Sequence, residues 1–200
     1  MFTPDRAANW AWFFWGLSWF LAAAWRAPAV RRAGFGAEWL HLLITLAGFV
    51  LLFTLYFVPP TAGDSTGMVY ELVWRRLWAP PNAVRWVFAA VTVAGFLFCW
   101  WARLQLGRLW SGAVTSKADH KIIDTGPYGL VRHPIYTGIL LASAGTAALH
   151  ATASGVIGFV LIFLGFWIKA RLEERFLRNE LGAETYDAYA RRVGMLIPGL

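Results

Sequence analysis

Cysteine is nearly absent from this chain, whose 200 residues include a single one, Cys99. One cysteine excludes a disulfide within the chain and a zinc site built from thiolate ligands. Charge is scarce as well, since only 14% of the residues are Asp, Glu, Lys or Arg, while 58% are hydrophobic. A soluble domain of this length cannot bury so much apolar surface, so the composition predicts an integral membrane protein.

Long polar segments are also few, and they separate five apolar ones. Each apolar segment approaches the roughly 17–25 residues with which a helix crosses a bilayer. The five are Trp10–Trp25, Trp39–Val58, Ala83–Ala102, Ile135–Leu149 and Gly155–Ile168. The pattern predicts an all-α fold, a polytopic membrane bundle of about five transmembrane helices with interfacial helices beside them. The alternative for the first segment is a cleaved signal peptide. Asp5 and Arg6 before the segment and its Trp-rich core disfavour this alternative.

Basic residues are divided unevenly between the two sides of such a bundle. With five spans, 14 of the 18 Lys and Arg residues fall on the side that carries the C-terminus. An excess of this kind marks the cytosolic side. We therefore expect an outside N-terminus and a cytosolic C-terminus, as in a bacterial inner-membrane protein. The net charge of +7 is explained by this topology and does not require a nucleic-acid partner.

The chain contains no internal repeat and no low-complexity linker, which predicts one membrane domain over residues 1–200. Residues 1–102 hold the first spans and residues 103–200 hold the polar motifs. Apolar residues at helical spacing predict a short interfacial helix between Tyr70 and Leu77. Similar spacing in the tail, residues 183–198, predicts a second one lying over the cytosolic face.

The first polar motif is GPYGLVRHPIY, residues 126–136. Gly126 and the proline after it indicate a turn, and Pro134 suits the first turn of a helix. His133 then takes the N-cap position with Arg132 just outside, which makes the helix start a candidate anion site. The alternative is that these cations reach lipid headgroups and that Tyr136 belongs to the aromatic belt.

The second polar motif is RLEERFL, residues 171–177. No helix breaker occurs between Val156 and Leu181, so one helix there would be about 39 Å long against a hydrocarbon core of about 30 Å. Its last turns must project into the cytosol with Glu173 and Glu174. These carboxylates either form ordinary surface ion pairs, such as Lys169 with Glu173, or bind an ammonium group, ribose hydroxyls or an adenine amine.

Taken in order, ARLQLGRLW (102–110), GPYGLVRHPIYTG (126–138) and the EERFL segment with the tail after it resemble the isoprenylcysteine carboxyl methyltransferase family. The related phospholipid methyltransferases show the same resemblance. These are integral membrane enzymes that use S-adenosylmethionine. The resemblance runs from about Arg103 to Pro198. It implies a C-terminal cofactor core with its site on the cytosolic side, between the fourth and fifth helices and the loop that joins them.

The resemblance also implies which residues form the site. Cofactor contacts are expected from Gly126, Tyr128, Arg132, His133, Pro134, Tyr136, Gly138, Glu173 and Glu174. Catalytic roles are implied for Arg132, His133 and Glu174 among them. Substrate contacts are expected from Arg171 and Trp110. No metal is expected.

The implied reaction is methyl transfer from S-adenosylmethionine to a lipophilic or prenylated acceptor at the cytosolic face of the bilayer, with S-adenosylhomocysteine as the product. A carboxylate acceptor is already ionised at pH 7, whereas a thiol or an amine needs a base, for which His133 or a Glu is a candidate. Phospholipid N-methyl transfer and small-thiol S-methyl transfer are alternatives. An NADPH-dependent enzyme similar to sterol reductases and a non-catalytic membrane protein are alternatives of other classes.

The oligomeric state stays open at the level of sequence. Gly138, Ala142 and Gly145 give the fourth helix a face of small residues. Such a face packs as readily within one chain as between two.

Overall fold

The computed structural model describes residues 2–24, 31–32, 35–54, 68–73, 75–107, 115–116 and 123–200. Within these residues the chain forms seven α-helices: α1 Pro4–Ala23, α2 Phe35–Leu52, α3 Met68–Val73, α4 Asn82–Leu106, α5 Pro134–His150, α6 Ala153–Leu181 and α7 Ala183–Ala190. A 3-10 turn covers Gly126–Gly129, and a two-residue antiparallel ladder pairs β1, Arg31–Arg32, with β2, Thr115–Ser116. The predicted all-α fold is confirmed.

Two of the helices, α4 and α6, are long and apolar enough to cross a membrane, judged by length and composition. The helix α6 runs without a break through the stretch that the sequence predicts as one helix. The other three apolar segments also coincide with helices, since α1, α2 and α5 lie there. In α2 the apolar stretch Trp39–Leu52 is shorter than the predicted span. Residues 55–58, at the end of that predicted span, lie outside the described residues.

The helices pack as two close pairs, α4 with α5 and α2 with α6. A Cβ atom added to Gly138 would lie 2.5 Å from the Cys99 sulfur and 2.6 Å from the Gly95 carbonyl oxygen, so only glycine fits this contact. In the second pair, Cβ atoms added to Gly48 and Gly158 would each lie within 2.8 Å of the other residue's carbonyl oxygen. The small-residue face of α5 thus packs within the chain, where it brings two helix backbones close together.

Aromatic residues attach α1 to this core. The Trp12 ring lies 4.7 Å from the Phe96 ring of α4, and the Trp12 indole N–H donates to Thr146 Oγ1 of α5 at 2.9 Å. Trp15 also stacks on the Phe96 ring, with the two ring centroids 4.9 Å apart. A tryptophan packed against a core contributes a large apolar area and needs a partner for its N–H, and the partly buried Trp12 has both.

The predicted interfacial helix between Tyr70 and Leu77 is too long. The helix α3 ends at Val73, and Leu77 N donates to Ala151 O at 2.6 Å, while Arg76 forms a bridge with Thr152. This contact with the turn between α5 and α6 replaces the helical hydrogen bonds.

The predicted tail helix is also too long, because α7 ends at Ala190 and residues 191–200 form turns. The backbone beyond α7 is instead hydrogen-bonded to the segment that leads into α5, as the site geometry shows. Both corrections have the same physical reason: contacts with distant residues outweigh local helical spacing.

Candidate functional site

The segment before α5 adopts the turn that the sequence predicts. Gly126 opens the 3-10 turn with φ of +60°, a value that glycine adopts without the steric cost of a side chain. Pro134 is the first residue of α5, and His133 is its N-cap. No side-chain hydrogen bond caps the helix, so the imidazole of His133 is directed elsewhere.

The C-terminal tail packs against the N-terminal end of α5. Arg132 N donates to Gly194 O at 2.8 Å, and His133 N donates to Met195 O at 3.1 Å. The Thr137 hydroxyl adds a third contact by donating to Leu196 O at 2.7 Å. The two backbone N–H groups just ahead of α5 are therefore directed into the tail. These two N–H groups therefore cannot bind the anion that the sequence led us to expect at this helix start, because the backbone of the tail already accepts from them.

Side chains from both motifs meet at the side of α6. His133 lies between two carboxylates, with Nδ1 3.4 Å from Glu173 Oε2 and Nε2 3.3 Å from Glu174 Oε1. Arg132 Nε donates to the same Glu174 oxygen at 2.7 Å. The Tyr136 hydroxyl donates to Glu173 Oε1 at 2.5 Å. Together, Arg132, His133, Tyr136, Glu173 and Glu174 form what we call the acidic-pair cluster.

The position of His133 determines its charge. A neutral imidazole has one nitrogen without a proton, and that nitrogen would face a carboxylate here. The imidazole is almost completely buried, which alone would lower its pKa, but hydrogen bonds and charge from Glu173 and Glu174 outweigh the burial. The pKa of His133 is therefore raised above its ordinary value, and the imidazolium form donates to both carboxylates.

The two carboxylates stay ionised for the complementary reason. Burial opposes the charge of Glu174, but hydrogen bonds from His133 and Arg132 lower its pKa to about 2. Burial likewise opposes the charge of Glu173, and the His133 hydrogen bond together with the charge of Lys169 lowers the pKa of Glu173 below its ordinary value. The cluster thus holds two permanent negative charges in a protected position.

Tyr136 is oriented by two contacts of its ring. One face stacks on the His133 imidazole, with ring centroids 5.3 Å apart and planes inclined by 3°. The ammonium group of Lys169 lies 5.2 Å from the centroid of the same ring, within cation–π distance. The phenol hydroxyl is thereby aimed at Glu173.

Arg132 connects the cluster to the tail as well as to α6. Its Nη1 donates to Ala190 O at 3.0 Å and to Val193 O, while its Nε contacts Glu174. Arg132 and Glu174 are both 12% exposed. Because its hydrogen bonds go to protein groups on both sides, Arg132 acts here as a fixed connector that neutralises Glu174.

The remaining residues expected at the cofactor lie at different distances from this cluster. Tyr128 is buried, and its carbonyl oxygen accepts a hydrogen bond from the Tyr189 hydroxyl at 2.7 Å. Burial and the nearby charge of Glu173 raise the pKa of the Tyr128 phenol, which stays neutral. Gly138 faces α4, so the close approach expected at this position is that of Cys99.

Of the two residues expected at the substrate, Arg171 lies on α6 with its guanidinium carbon 5.3 Å from the centroid of the Trp167 ring. Both residues line a groove of about 470 Å³ that runs between α6 and the tail, and Arg132 is at its border. Trp110 lies outside the described residues.

Some residues of the site escape sequence reasoning. Lys169 is visible in the sequence as a partner for Glu173, but its contact with the Tyr136 ring is not. Thr137 and the backbone carbonyls of residues 194–196 give no signal at all, because any residue supplies a carbonyl. Among the described residues, no group of three or more His, Cys, Asp or Glu side chains is arranged to hold a metal ion.

Comparison with known proteins gives a family match that covers the site and several similar relatives. Residues 87–179 match the model of the isoprenylcysteine carboxyl methyltransferase family. A protein of Oryza sativa subsp. indica named "Probable protein-S-isoprenylcysteine O-methyltransferase" is 38% identical over 81 residues, 40% of this chain and 42% of that protein. The cobalt-zinc-cadmium resistance protein CzcN of Cupriavidus metallidurans is 32% identical over 132 residues, 64% of this chain and 54% of its own length.

A methanethiol S-methyltransferase from a Pseudomonas species is 42% identical over 71 residues, which make up 36% of this chain and 26% of that enzyme. The chain thus spans about half or less of the length of these curated relatives. The matched segment 87–179 nevertheless includes both polar motifs and the whole acidic-pair cluster. Over this segment, a little under half of its length, the chain is similar to the isoprenylcysteine carboxyl methyltransferase family.

Proposed function

We propose that this protein is a membrane methyltransferase that uses S-adenosylmethionine to methylate a lipophilic acceptor at the cytosolic face of a bacterial inner membrane. Five helices, α1, α2, α4, α5 and α6, would span the bilayer, and the N-terminus would lie outside. The observation that carries the proposal is the acidic-pair cluster. Two carboxylates, 17% and 12% exposed, are held ionised beside Arg132 and His133 in the later turns of a long apolar helix, where ionisable groups are costly unless they are paired or functional.

The donor set fits this cofactor. S-adenosylmethionine carries an ammonium group, ribose hydroxyls and an adenine amine, from which a carboxylate can accept hydrogen bonds. It also carries a sulfonium, whose positive charge a carboxylate can neutralise. Glu173 and Glu174 supply these acceptors, and their low pKa values keep them available at any physiological pH. Tyr136, which contacts the imidazole and Lys169, donates to Glu173 and so limits how Glu173 can turn. We assign cofactor contacts to this group, with Gly126, Tyr128 and Pro134 shaping the wall beside it.

When bound, the cofactor supplies a methyl group on an already activated sulfonium leaving group. The protein then has to position the acceptor in line and exclude water, which is where much of the rate can come from. Arg132 and His133 contribute by holding Glu174 and the tail in one arrangement. No protein nucleophile is needed.

The protonation states favour a carboxylate as the acceptor. His133 is an imidazolium with both nitrogens directed at carboxylates, so it has no lone pair with which to accept a proton. Glu174, with a pKa of about 2, is a very weak base. A thiol or an amine would have to lose its proton elsewhere, whereas a carboxylate needs no base at pH 7.

The first experiment is a calorimetric titration of the detergent-purified chain with S-adenosylhomocysteine, with NADPH titrated in parallel. We expect saturable one-site binding of S-adenosylhomocysteine and none of NADPH. Glu174→Gln should weaken binding by about tenfold or more, since a charged hydrogen bond contributes about 1.5–3 kcal/mol. Glu184→Gln is the matched control, because Glu184 is exposed on α7, and it should bind as the unaltered protein does. A folded protein that binds only NADPH would indicate a reductase.

The acceptor is then tested with methyl-labelled cofactor and four acceptors: a prenylated cysteine, a long-chain fatty acid, an alkanethiol and a phosphatidylethanolamine. We expect label in a carboxylate ester, at a rate that varies little between pH 6.5 and 8. Transfer to the alkanethiol with a rate that rises with pH would favour small-thiol S-methylation, the activity in the name of the Pseudomonas relative.

A further inference from the structure

The groove between α6 and the tail lies on a different side of α6 from the Glu173–Tyr136 contact. Phe163, Trp167 and Arg171 line it from α6, and they recur every four residues along one face. Each residue of an α-helix turns the direction of the side chain by about 100°, which places Glu173 about 160° away from Arg171. The groove therefore needs its own explanation.

Among the described residues, four arginines and no acidic side chain line the groove: Arg132, Arg171, Arg191 and Arg192. Two of them are neutralised by the protein. Arg132 is paired with Glu174, and Arg192 lies 3.2 Å from Asp124. In the described part of the chain, neither Arg171 nor Arg191 forms an ion pair. Two positive charges at this groove are thus left for something outside the chain.

The apolar part of the groove lies toward the predicted membrane. Trp167 and Phe163 are about one and two turns before Arg171, so the apolar wall extends about 12 Å along α6 from Arg171. Trp167 is 40% exposed and Ile197, across the groove in the tail, is 49% exposed. The Trp167 ring also carries the Arg171 guanidinium at 5.3 Å, which orients it at the boundary between the apolar and charged parts.

We propose that this groove binds an anionic phospholipid, with its phosphate at Arg171 and Arg191 and an acyl chain along Trp167 and Phe163. This inference rests on the membrane placement proposed above, though not on the methyltransferase activity. Guanidinium groups bind phosphate oxygens through paired N–H donors, and the anionic lipids of the cytosolic leaflet attract basic side chains. The groove volume of about 470 Å³ exceeds what a phosphate group alone would fill.

A lipid in this position would tie the tail to α6. One wall of the groove is the segment Ala190–Leu200, and the other is the outer face of α6. The same tail segment covers the entrance to α5 through Gly194 and Met195. Lipid bound in the groove should therefore protect the tail from proteolysis.

The test uses the full chain in nanodiscs made of phosphatidylcholine alone or with phosphatidylglycerol as about a third of the lipid. Native mass spectrometry after release counts the retained lipid, and limited trypsin digestion reports on the tail. The variants are Arg171→Gln and the control Arg175→Gln, which removes an equal charge one turn further along α6, outside the groove. Titration with S-adenosylhomocysteine is repeated on each.

We expect retained phosphatidylglycerol and a protected tail in the unaltered protein and in Arg175→Gln, and a loss of both, about fivefold or more, in Arg171→Gln. S-adenosylhomocysteine binding should be the same in all three. Equal retention of the two lipids, or equal retention in Arg171→Gln, would overturn the proposal. Loss of S-adenosylhomocysteine binding in Arg171→Gln alone would also overturn it by assigning the groove to the cofactor. Methylation of the retained lipid would overturn it by making the groove an acceptor site.

Discussion

The helix α5 has a buried histidine at each end, and the two are in opposite electrostatic situations. His133, at the start, is 8% exposed and lies between two carboxylates, which raise its pKa. His150, the last residue, is 2% exposed, and its Nδ1 lies 3.1 Å from Leu52 O. Burial lowers the pKa of His150, and the hydrogen bond to Leu52 offsets this only in part. Burial is common to both, so the neighbouring charges decide which histidine is a cation.

This difference separates the two ends of the bundle by function. At the start of α5 the protein has concentrated charge that its fold does not need, because neutral residues of similar size would pack there at lower cost. At the end of α5 the polar groups satisfy backbone carbonyls and terminate helices. We infer that the first end is built for a ligand and the second for stability, and the following changes test that contrast.

The largest effect is expected from Arg132→Gln. It leaves Glu174 buried beside one cation fewer and removes the hydrogen bonds to Ala190 and Val193. Removing one partner of a buried pair costs about 3–5 kcal/mol. SDS-induced unfolding followed by tryptophan fluorescence measures this cost, and trypsin should cleave the tail faster. Unchanged unfolding would mean that Arg132 only anchors lipid headgroups.

The next effect is expected from His133→Gln and depends on pH. A raised folded-state pKa adds stability that is fully present below the unfolded value of 6.5 and is lost as pH rises through the folded value. The difference in melting temperature between the unaltered protein and His133→Gln should therefore be largest near pH 6 and shrink toward pH 9. A difference that grows with pH would show that the imidazole is neutral in the folded state.

A smaller effect of opposite sign is expected from His150→Gln. Its lowered pKa means that the folded state favours the neutral imidazole, so its contribution is present above pH 6.5 and is lost as pH falls. The variant should lose about 1 kcal/mol at pH 8, the usual contribution of one hydrogen bond, and less at pH 5.5. Binding of S-adenosylhomocysteine should be unchanged, in contrast with Glu174→Gln. Impaired binding would break the division between the two ends.

The smallest effect is expected from Arg178→Gln, which calibrates the loss of a charge. Arg178 donates to Asp187 at 2.7 Å, and the two side chains are 53% and 36% exposed. Exposed pairs contribute at most about 1 kcal/mol. The unfolding measurement used for Arg132→Gln should show a several-fold smaller change here. Equal changes would mean that the acidic-pair cluster is no more than a surface ion-pair network.

Much of the site follows from local sequence rules. The positions of Pro134 and His133 at the start of α5 come from the preferences of the first helical turn, and the unbroken run to Leu181 places Glu173 and Glu174 beyond the apolar segment. These groups come together because α5 and α6 are consecutive helices that pack on each other, so the start of α5 lies beside the later turns of α6. The all-helical fold needs only the apolar periodicity and the lack of charge.

The course of the tail could not be predicted in the same way. Its spacing of apolar residues is helical as far as Val193, and local preference would continue α7 to that point. Backbone carbonyls at Gly194 and Met195 instead pair with residues some 60 positions earlier, and no side-chain pattern announces such a contact. The partner of Gly138 is similarly hidden, because a small residue indicates a close approach without saying to what.

The continuity of α6 sets a limit on how the chain can vary. From the predicted end of the span at Ile168 to Glu173, the helix fixes both the distance and the direction of the carboxylates, because each residue adds about 1.5 Å of rise and 100° of rotation. Inserting one residue would turn both carboxylates away from His133, although every side chain were kept. Inserting seven would restore their direction to within about 20° but raise them by about 10.5 Å. Between Ile168 and Glu173, substitutions should therefore be tolerated far better than insertions or deletions.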